Sequence, residues 1–315
     1  MKTVQEKYAF SKSEIKILRE LVRGERPLSD LRKKLLFGPS LLSYNLKKLL
    51  DKGLIMENTR GFRKYVQFSD FKHASLLKNL LLVYYHIDWE NLLVGKGLYI
   101  LFQIISGFEN SFYGVSKATF WRYLRRFRTH GILQKKVNKY EINPRFSILA
   151  DFLNEYQLFF IKRIAEKLSS EAVVLWHRDF EFLVRVPKSV KVTSEKLHLT
   201  ATSLFPSLGL PIFSEYNILF YSERKKNIKI EDAVLHTLLI ERKNVRYVIY
   251  SLLLLHKYKE KIDVRYLKSE AQKYNLGVQI VSMLSFIETH SRQGDLPLPT
   301  WTEFEAKAKE YGVTV

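Results

Sequence analysis

The sequence contains no cysteine among its 315 residues, and this absence removes several classes of protein. Disulfide frameworks, thiolate catalysis and zinc sites with cysteine ligands are excluded. The first residues, MKTVQEKYAFSKSEIK, are charged and lack the apolar core of a signal peptide. The most apolar stretches are too short to span a bilayer; they are Leu80–Tyr85, Leu98–Ile105 and Val248–Leu255. We therefore expect a soluble, cytoplasmic protein with no membrane partner.

Motifs of the common enzyme classes are also missing. No GxxxxGK(S/T), GxGxxG or GxSxG segment occurs, and no Gly-Ser pair of the kind a nucleotidyltransferase needs is present. His177-Arg178-Asp179 matches the kinase catalytic triplet, but the downstream Asn, the glycine loop and the DFG segment are absent, so we interpret it as a turn with surface charges. The eight histidines show no metal-ligand spacing. We expect no catalytic residues, no cofactor and no metal.

Positive charge is unevenly distributed along the chain. There are 52 Lys and Arg residues against 32 Asp and Glu, a net charge of +20. Residues 1–145 hold 28 basic and 12 acidic side chains, whereas residues 146–315 hold 24 and 20, so the net charges are +16 and +4. A field of one sign favours a polyanion as partner, through counterion release. Nucleic acid is therefore the expected partner of the first half.

The first part of the chain, residues 1–70, follows the order of a winged helix-turn-helix. Apolar residues recur at helical spacing in three segments, Ser11–Gly24, Leu28–Leu36 and Ser40–Lys52. Two strands are then predicted, Leu54–Asn58 and Arg63–Phe68. Three helices followed by a hairpin predict a first winged helix with Ser40–Lys52 as its recognition helix.

The same pattern recurs 78 residues later. RYLRRFRTHGIL (Arg122–Leu133) aligns with YNLKKLLDKGLI (Tyr44–Ile55), which pairs Gly131 with Gly53. An apolar helix precedes this copy and a hairpin follows it; the segments are Lys96–Gly107, Ile132–Lys136, a turn at Asn138-Lys139, and Tyr140–Asn143. A duplicated unit of this kind indicates a second winged helix.

The second copy has a short middle. Only Phe108–Val115 separates its first helix from Ser116, so the middle helix must be one turn or absent. Between the copies, His73–His86 predicts an apolar helix that packs the two units together. Residues 71–145 therefore hold a connecting helix and winged helix 2.

Residues 146–315 change character and predict a long helix and an α+β effector or dimerisation domain. The apolar stripe of the long helix, Phe146–Ser169, suits either a core or a dimer seam. Strands are expected as two within Ala172–Pro187, then Tyr216–Tyr221 and Asn227–Ile230. Helices are expected at Leu197–Leu208, Ile230–Ile240, Val245–Lys257, Val264–Tyr274, Val278–His290 and Trp301–Tyr311, with a surface loop at Gly294–Thr300. The expected fold class is α+β and helix-rich: two winged helix-turn-helix units followed by a mixed α/β C-terminal domain.

The candidate DNA-binding residues lie on the two predicted recognition helices and the two wings. A helix-turn-helix places the N-terminal part of its last helix in the major groove, where arginine can read guanine and hydroxyls can reach phosphates or base edges. The helix candidates are Ser40, Ser43, Tyr44, Lys47 and Lys48 in the first copy, and Lys117, Thr119, Trp121, Arg122, Arg125 and Arg126 in the second. The wing candidates, suited to phosphate or minor-groove contact, are Arg60, Arg63, Lys64, Lys135, Lys136 and Lys139.

Two alternatives stay open at this level. The basic faces could be solvated surface with no ligand. Trp121 could stay exposed and stack or touch a thymine methyl, or it could be buried against the wing.

The segments Leu28–Ile55 and Val115–Leu133 resemble archaeal and bacterial winged-helix transcription regulators in the helix, turn and S-x-x-x-x-x-L-x-x-L-x-x-x-G-L-I region. The C-terminal half is similar to the C-terminal domain of AbiE-type antitoxins in Leu199–Pro211, Tyr216–Tyr221, Ile230–Ile240 and Val245–Leu276. The second resemblance implies a winged helix that represses its own operon and a C-terminal domain that counters a nucleotidyltransferase-like toxin. That family has one winged helix, whereas two are predicted here.

The leading hypothesis is a transcription regulator, for example a repressor, that binds double-stranded DNA. Its C-terminal domain is expected to form a homodimer or to bind a protein partner, such as a toxin or the transcription machinery. Alternative hypotheses are an antitoxin that acts by protein binding and autorepression, and a plasmid or viral replication initiator. An enzymatic C-terminal domain is the remaining alternative.

Overall fold

The computed structural model describes residues 8–107, 114–137, 139–292 and 297–315. The chain divides into two compact units, residues 1–160 and residues 161–315. Each combines helices with small antiparallel sheets, and the predicted helix-rich α+β class is confirmed. No helix within the described residues combines the length and the apolar character needed to cross a membrane.

The first unit begins with three helices and a hairpin. The elements are α1 (Lys12–Leu21), β1 (Arg26–Pro27), α2 (Leu28–Leu35), α3 (Pro39–Asp51), β2 (Ile55–Arg60) and β3 (Arg63–Phe68). The three strands form an antiparallel sheet in the order β1-β3-β2. The two-residue strand β1 was not predicted, because Pro27 indicated only a break. Pro27 pairs with Tyr65 of β3 at the edge of the sheet, where no further strand needs the N–H that proline lacks.

The rest of the first unit repeats this plan. The elements are α4 (Lys72–Val83), α5 (Trp89–Leu92), α6 (Lys96–Ile105), α7 (Lys117–Thr129), β4 (Leu133–Lys136), β5 (Lys139–Ile142) and α8 (Ser147–Glu166), whose last residues belong to the second unit. The short helix α5 was not predicted. The expected one-turn or absent helix in Phe108–Val115 and the expected turn residue Asn138 lie wholly or mostly outside the described residues.

The repeat is reproduced residue by residue. Helices α3 and α7 begin and end 78 positions apart, at Pro39 and Lys117 and at Asp51 and Thr129. The glycine that follows each helix, Gly53 or Gly131, has a positive φ, +63° or +68°. The equivalent core positions are all buried: Leu42 and Phe120, Leu46 and Leu124, Leu49 and Phe127, Leu54 and Ile132.

The two copies meet at equivalent positions. Phe10 and Val94 form an isolated parallel bridge, and each lies two residues before the first helix of its copy. The Gly95 N–H donates to the Phe10 carbonyl oxygen at 3.2 Å. The connecting segment also contacts the end of the second copy, since the hydroxyl of Tyr84, just after α4, donates to the Arg145 carbonyl oxygen. The two winged helices are therefore packed together rather than joined by a free linker.

A buried ion pair connects the first helix to the end of the third. Lys52 Nζ lies 2.5 Å from Glu14 Oε1 and donates to the Ala9 carbonyl oxygen at 2.7 Å. Glu14 also completes a capping box with Ser11 at the start of α1. Burial lowers the pKa of Lys52, and Glu14 opposes this effect. The end of α3 cannot move away from α1 without leaving a charge unpaired in the core.

The long helix α8 packs much of its apolar face into the core of its own chain. Phe152, Tyr156 and Phe160 are buried. The Tyr156 hydroxyl donates to the Tyr8 carbonyl oxygen at 3.2 Å, and burial raises the pKa of that hydroxyl well above its usual value. The sequence left open whether this stripe belongs to a core or to a dimer seam, and these three residues belong to the core.

The second unit packs helices on a four-stranded antiparallel sheet. The sheet order is β6-β7-β9-β8, with β6 (Val173–Arg178), β7 (Glu181–Pro187), β8 (Leu197–Leu199) and β9 (Tyr216–Tyr221). The helices are α9 (Ile230–Ile240), α10 (Val245–Lys257), α11 (Val264–Lys273), α12 (Gly277–Thr289) and α13 (Trp301–Glu310). Helix α9 is buried around nearly its whole circumference, with Asp232, His236 and Thr237 included, and its apolar residues belong to the core of the unit.

Two of the secondary-structure predictions for this unit were wrong. Leu197–Leu208 is strand β8 followed by two short 3₁₀ turns, because Ala201 takes a left-handed φ of +51° and Pro206 interrupts the backbone hydrogen bonds of a helix. Asn227–Ile230 is loop and helix start rather than a strand, because the chain turns at Ser222, whose hydroxyl accepts from the Arg224 and Lys225 N–H groups.

The predicted surface loop Gly294–Thr300 is only partly described. Gly294, Asp295 and Leu296 lie outside the described residues. Leu298 is buried in the core of the second unit, so that part of the loop is not surface.

The two equivalent glycines give a matched test of packing. Gly53→Ala and Gly131→Ala both place a side chain at a left-handed φ, which costs about 1–2 kcal/mol. A Cβ at position 53 would also lie 2.5 Å from the Phe159 ring, whereas a Cβ at position 131 would meet nothing within 4 Å. We expect Gly53→Ala to lower the free energy of unfolding by roughly a further 1–3 kcal/mol in urea titrations. Equal losses in the two variants would contradict this packing.

Candidate nucleic-acid interface

The exposed face of α3 carries the side chains predicted for the first recognition helix. Ser40, Ser43, Tyr44 and Lys47 are exposed, and Lys48 is half-buried. Lys48 Nζ lies 4.3 Å from the centroid of the Tyr44 ring, one helical turn away. The stripe that contains Leu42, Leu46 and Leu49 faces the core, so the polar face points outward as expected.

The exposed face of α7 presents the denser cationic surface. Lys117, Arg122, Arg125 and Arg126 are all exposed. Thr119 is half-buried and is occupied by the helix cap, since its N–H donates to Ser116 Oγ and its hydroxyl accepts from the same oxygen. Thr119 therefore acts first as a capping partner, and its hydroxyl is less available to a ligand than was expected.

Trp121 projects from the same face of α7. It is 47% exposed and its ring meets only the edge of Phe120, at 5.9 Å and 88°, among the ring pairs of the described residues. Of the two alternatives left open by the sequence, burial against the wing does not occur. An indole held at the surface among arginines can stack on a base or contact a thymine methyl.

The two wings carry the remaining predicted cations, and all six are exposed: Arg60, Arg63, Lys64, Lys135, Lys136 and Lys139. In the first wing, strands β2 and β3 stay in register to the last pair, Arg60 opposite Arg63. In the second, Lys136 lies opposite Lys139. Each hairpin therefore ends in a pair of cations that repel each other and that a polyanion would neutralise.

Only part of this charge is neutralised within the chain. Among the described residues, two of the predicted cations form ion pairs: Arg60 with Glu25 at 2.8 Å, and Lys136 with Glu141 at 3.8 Å. Glu25 precedes β1, and no sequence signal linked it to a wing residue 35 positions later. The arginines of α7 that face outward, Arg122 and Arg125, have no acidic partner in the described part of the chain, so their field reaches solvent.

The second unit contains a buried network of charged residues around Lys225. Lys225 Nζ pairs with Asp232 and lies 3.0 Å from both Glu270 Oε2 and the Tyr266 hydroxyl. Asp232 and Glu270 are buried. These three charged residues are therefore partnered inside the fold. Within the described residues, no group of three or more His, Asp or Glu side chains is placed to hold a metal ion.

The hairpin between β6 and β7 corrects one sequence prediction. His177 and Arg178 end strand β6 and only Asp179 lies in the turn, but Asp179 is 1% exposed and is not a surface charge. Its backbone is left-handed, with φ +54°, and its carboxylate pairs with Arg224. Burial raises the pKa of Asp179 to about 6, against the opposing effect of Arg224. The polar partner that allows this burial is 45 residues away and could not be read from the triplet.

Comparison with known proteins gives a partial match. Residues 194–313 match a protein-family model named HVO_2833_C, C-terminal. The matched segment lies within the second unit and spans less than half of the chain. No curated protein and no solved structure matches the chain.

The buried acid Asp179 makes a pH-dependence testable. Because its pKa is raised to about 6 in the folded chain, the folded state binds a proton more tightly than the unfolded state between about pH 4 and pH 6. Its contribution to the free energy of unfolding therefore falls as the pH rises through this window, by at most roughly 3 kcal/mol. We expect Asp179→Asn, which tolerates the same φ, to lose this part of the pH profile in urea titrations.

Asp70→Asn, at an exposed position, controls for the loss of one carboxylate. If Asp179→Asn keeps the wild-type decline between pH 4 and pH 6, another group causes it.

Proposed function

We propose that the chain is a double-stranded DNA-binding transcription regulator whose tandem winged helices hold the duplex. The observation that carries the proposal is the equivalence of α3 and α7. Both helices bury one stripe, both expose the opposite face, and both exposed faces carry cations that lack an ion-pair partner among the described residues: Lys47, Lys117, Arg122 and Arg125.

Two linked winged helices can occupy a longer site than one. Successive major-groove segments on one side of a duplex lie about 10 base pairs apart. The copies are packed together through Phe10 and Val94, so the two helices keep a constant spacing. Such an arrangement supports recognition of a site with two elements, each read by one helix.

Affinity in this proposal comes mainly from phosphate contacts. The wing cations and Lys48 neutralise phosphates and release counterions, so binding weakens steeply as salt rises. Base choice comes from Arg122, Arg125 and Trp121, which are exposed on α7. The second unit is proposed to dimerise the chain or to bind a protein partner.

The contrasting explanation is a solvated basic surface with no ligand. It requires that the full chain bind no duplex even at low salt. Selection of bound duplexes from a random pool, followed by titration at several salt concentrations, decides between the two. A linear fall of log affinity with log salt supports the proposal, and absence of binding in dilute buffer overturns it.

Arginine substitutions test where sequence choice resides. We expect Arg122→Ala or Arg125→Ala to weaken binding to a selected duplex by about tenfold or more and to relax base choice, because a bidentate guanine contact is lost. Lys64→Ala is expected to weaken all duplexes alike and to reduce the salt slope by about 1. Fluorescence anisotropy on selected and scrambled duplexes measures both effects.

Lys268→Ala provides the control, since Lys268 is an exposed cation of the second unit. Unchanged affinity in both arginine variants would remove α7 from the interface.

Tryptophan emission gives an independent readout. Of the four tryptophans, Trp89 is buried, Trp176 and Trp301 are half-buried, and Trp121 is exposed. We expect a bound duplex to quench the emission through Trp121, so that Trp121→Phe removes most of the quenching while Trp301→Phe retains it. Quenching that survives in Trp121→Phe would place the indole away from the DNA.

A further inference from the structure

The tip of the first wing presents an aromatic ring to solvent. After the last pair of the hairpin, Arg60 opposite Arg63, the chain turns through Gly61 and Phe62 alone. Phe62 is fully exposed, and in the described part of the chain no ring pair or cation–π contact involves it. Gly61 has a φ of +59°, and a Cβ there would meet nothing within 4 Å, so this glycine serves the turn and not packing.

A single exposed apolar side chain is common, so exposure by itself indicates nothing. The surroundings of Phe62 are more specific. Arg60, Arg63 and Lys64 are all exposed and lie within two residues of the ring along the chain. A phenyl ring flanked by cations on both sides fits a surface that is anionic outside and apolar inside. A nucleic-acid groove, with phosphates at its rims and base faces within, has this character.

The wing holds its tip in a defined place. Six residue pairs join β2 to β3 without a register shift, and β1 extends the sheet on the other side of β3. Arg60 is anchored to Glu25 at 2.8 Å, and its guanidinium lies 5.3 Å from the Tyr65 ring centroid. The aromatic tip is therefore mounted on a rigid element, as a positioned contact group requires.

The two wings differ at the tip. In the second wing Val137 is 86% exposed next to Lys136, but its side chain is aliphatic and β-branched and cannot stack. The predicted wing contacts of both copies are cationic, so Phe62 adds to the first wing a chemistry that the second does not have.

We propose that the first wing inserts the Phe62 ring into the minor groove as a wedge between two base pairs, and that this insertion kinks the duplex. The inference rests on the proposed DNA-binding function and deepens it, because it adds recognition through DNA deformability to direct reading by α7. Apolar wedges of this kind partially unstack a base step, and pyrimidine–purine steps such as TA unstack most easily. The first wing therefore favours sites with a flexible step under its tip.

The test uses the full chain and a duplex of about 30 base pairs that contains TA steps and 2-aminopurine, with a donor and an acceptor dye at its ends. Binding of the wild type is expected to raise 2-aminopurine emission and energy transfer, which report unstacking and bending. Phe62→Ala is expected to lose both signals and about tenfold in affinity, with an unchanged salt slope, because no cation is removed. Phe62→Leu, which keeps a wedge, is expected to retain most of the bend.

Phe213→Ala is the matched control, since Phe213 is an exposed phenylalanine of the second unit. Circular dichroism melting verifies that each variant is folded. We expect an unchanged melting temperature for the Phe62 variants, because an exposed tip residue makes no packing contact. If Phe62→Ala binds the duplex and keeps both signals, the wedge is wrong while the DNA-binding proposal stands. If the wild type binds no duplex at low salt, the DNA-binding proposal fails. Binding to anionic vesicles that Phe62→Ala abolishes, without any duplex distortion, would assign the tip to a lipid surface and overturn the wedge.

Discussion

The buried pair of Lys52 and Glu14 is the constraint on which the geometry of the first winged helix depends. A lysine ammonium in an apolar core is costly unless it is paired and hydrogen-bonded, and Lys52 meets both conditions through Glu14 and the Ala9 carbonyl. Glu14 is itself fixed by the cap at Ser11. These contacts connect the start of α1 to the end of α3, so the face of α3 that remains outside is determined.

The second copy reaches the same geometry without an ion pair. Leu98 occupies the place in α6 that corresponds to Glu14 in α1, and the exposed His130 corresponds to Lys52. The helix end is the same in both copies: the Leu54 N–H donates to the Leu49 carbonyl at 3.0 Å, and the Ile132 N–H to the Phe127 carbonyl at 2.9 Å. The two copies therefore share their backbone geometry at this point, whereas their buried chemistry differs.

The two units differ in where their charged groups find partners. In the second unit, buried acids such as Asp179 and Asp232 are neutralised inside the fold by Arg224 and Lys225. In the first, most wing and helix cations face solvent without a partner among the described residues. The net charge of +16 in residues 1–145 therefore acts as an external field, whereas residues 146–315 carry a net charge of only +4. This contrast supports placing the nucleic-acid surface on the first unit.

The sequence by itself determined the repeat and the outward faces of α3 and α7, because a 3.6-residue period with a following glycine is a local signal, carried in α3 by Leu42, Leu46 and Leu49. It misjudged Leu197–Leu208, where Ala201 and Pro206 break the helix, and Asp179, whose burial depends on the distant Arg224. Only the tertiary structure decided that Trp121 is exposed, that Glu25 anchors Arg60, and that a buried lysine sets the position of α3. The last two of these depend on a partner tens of residues away in the chain, and no periodic pattern records such a pairing.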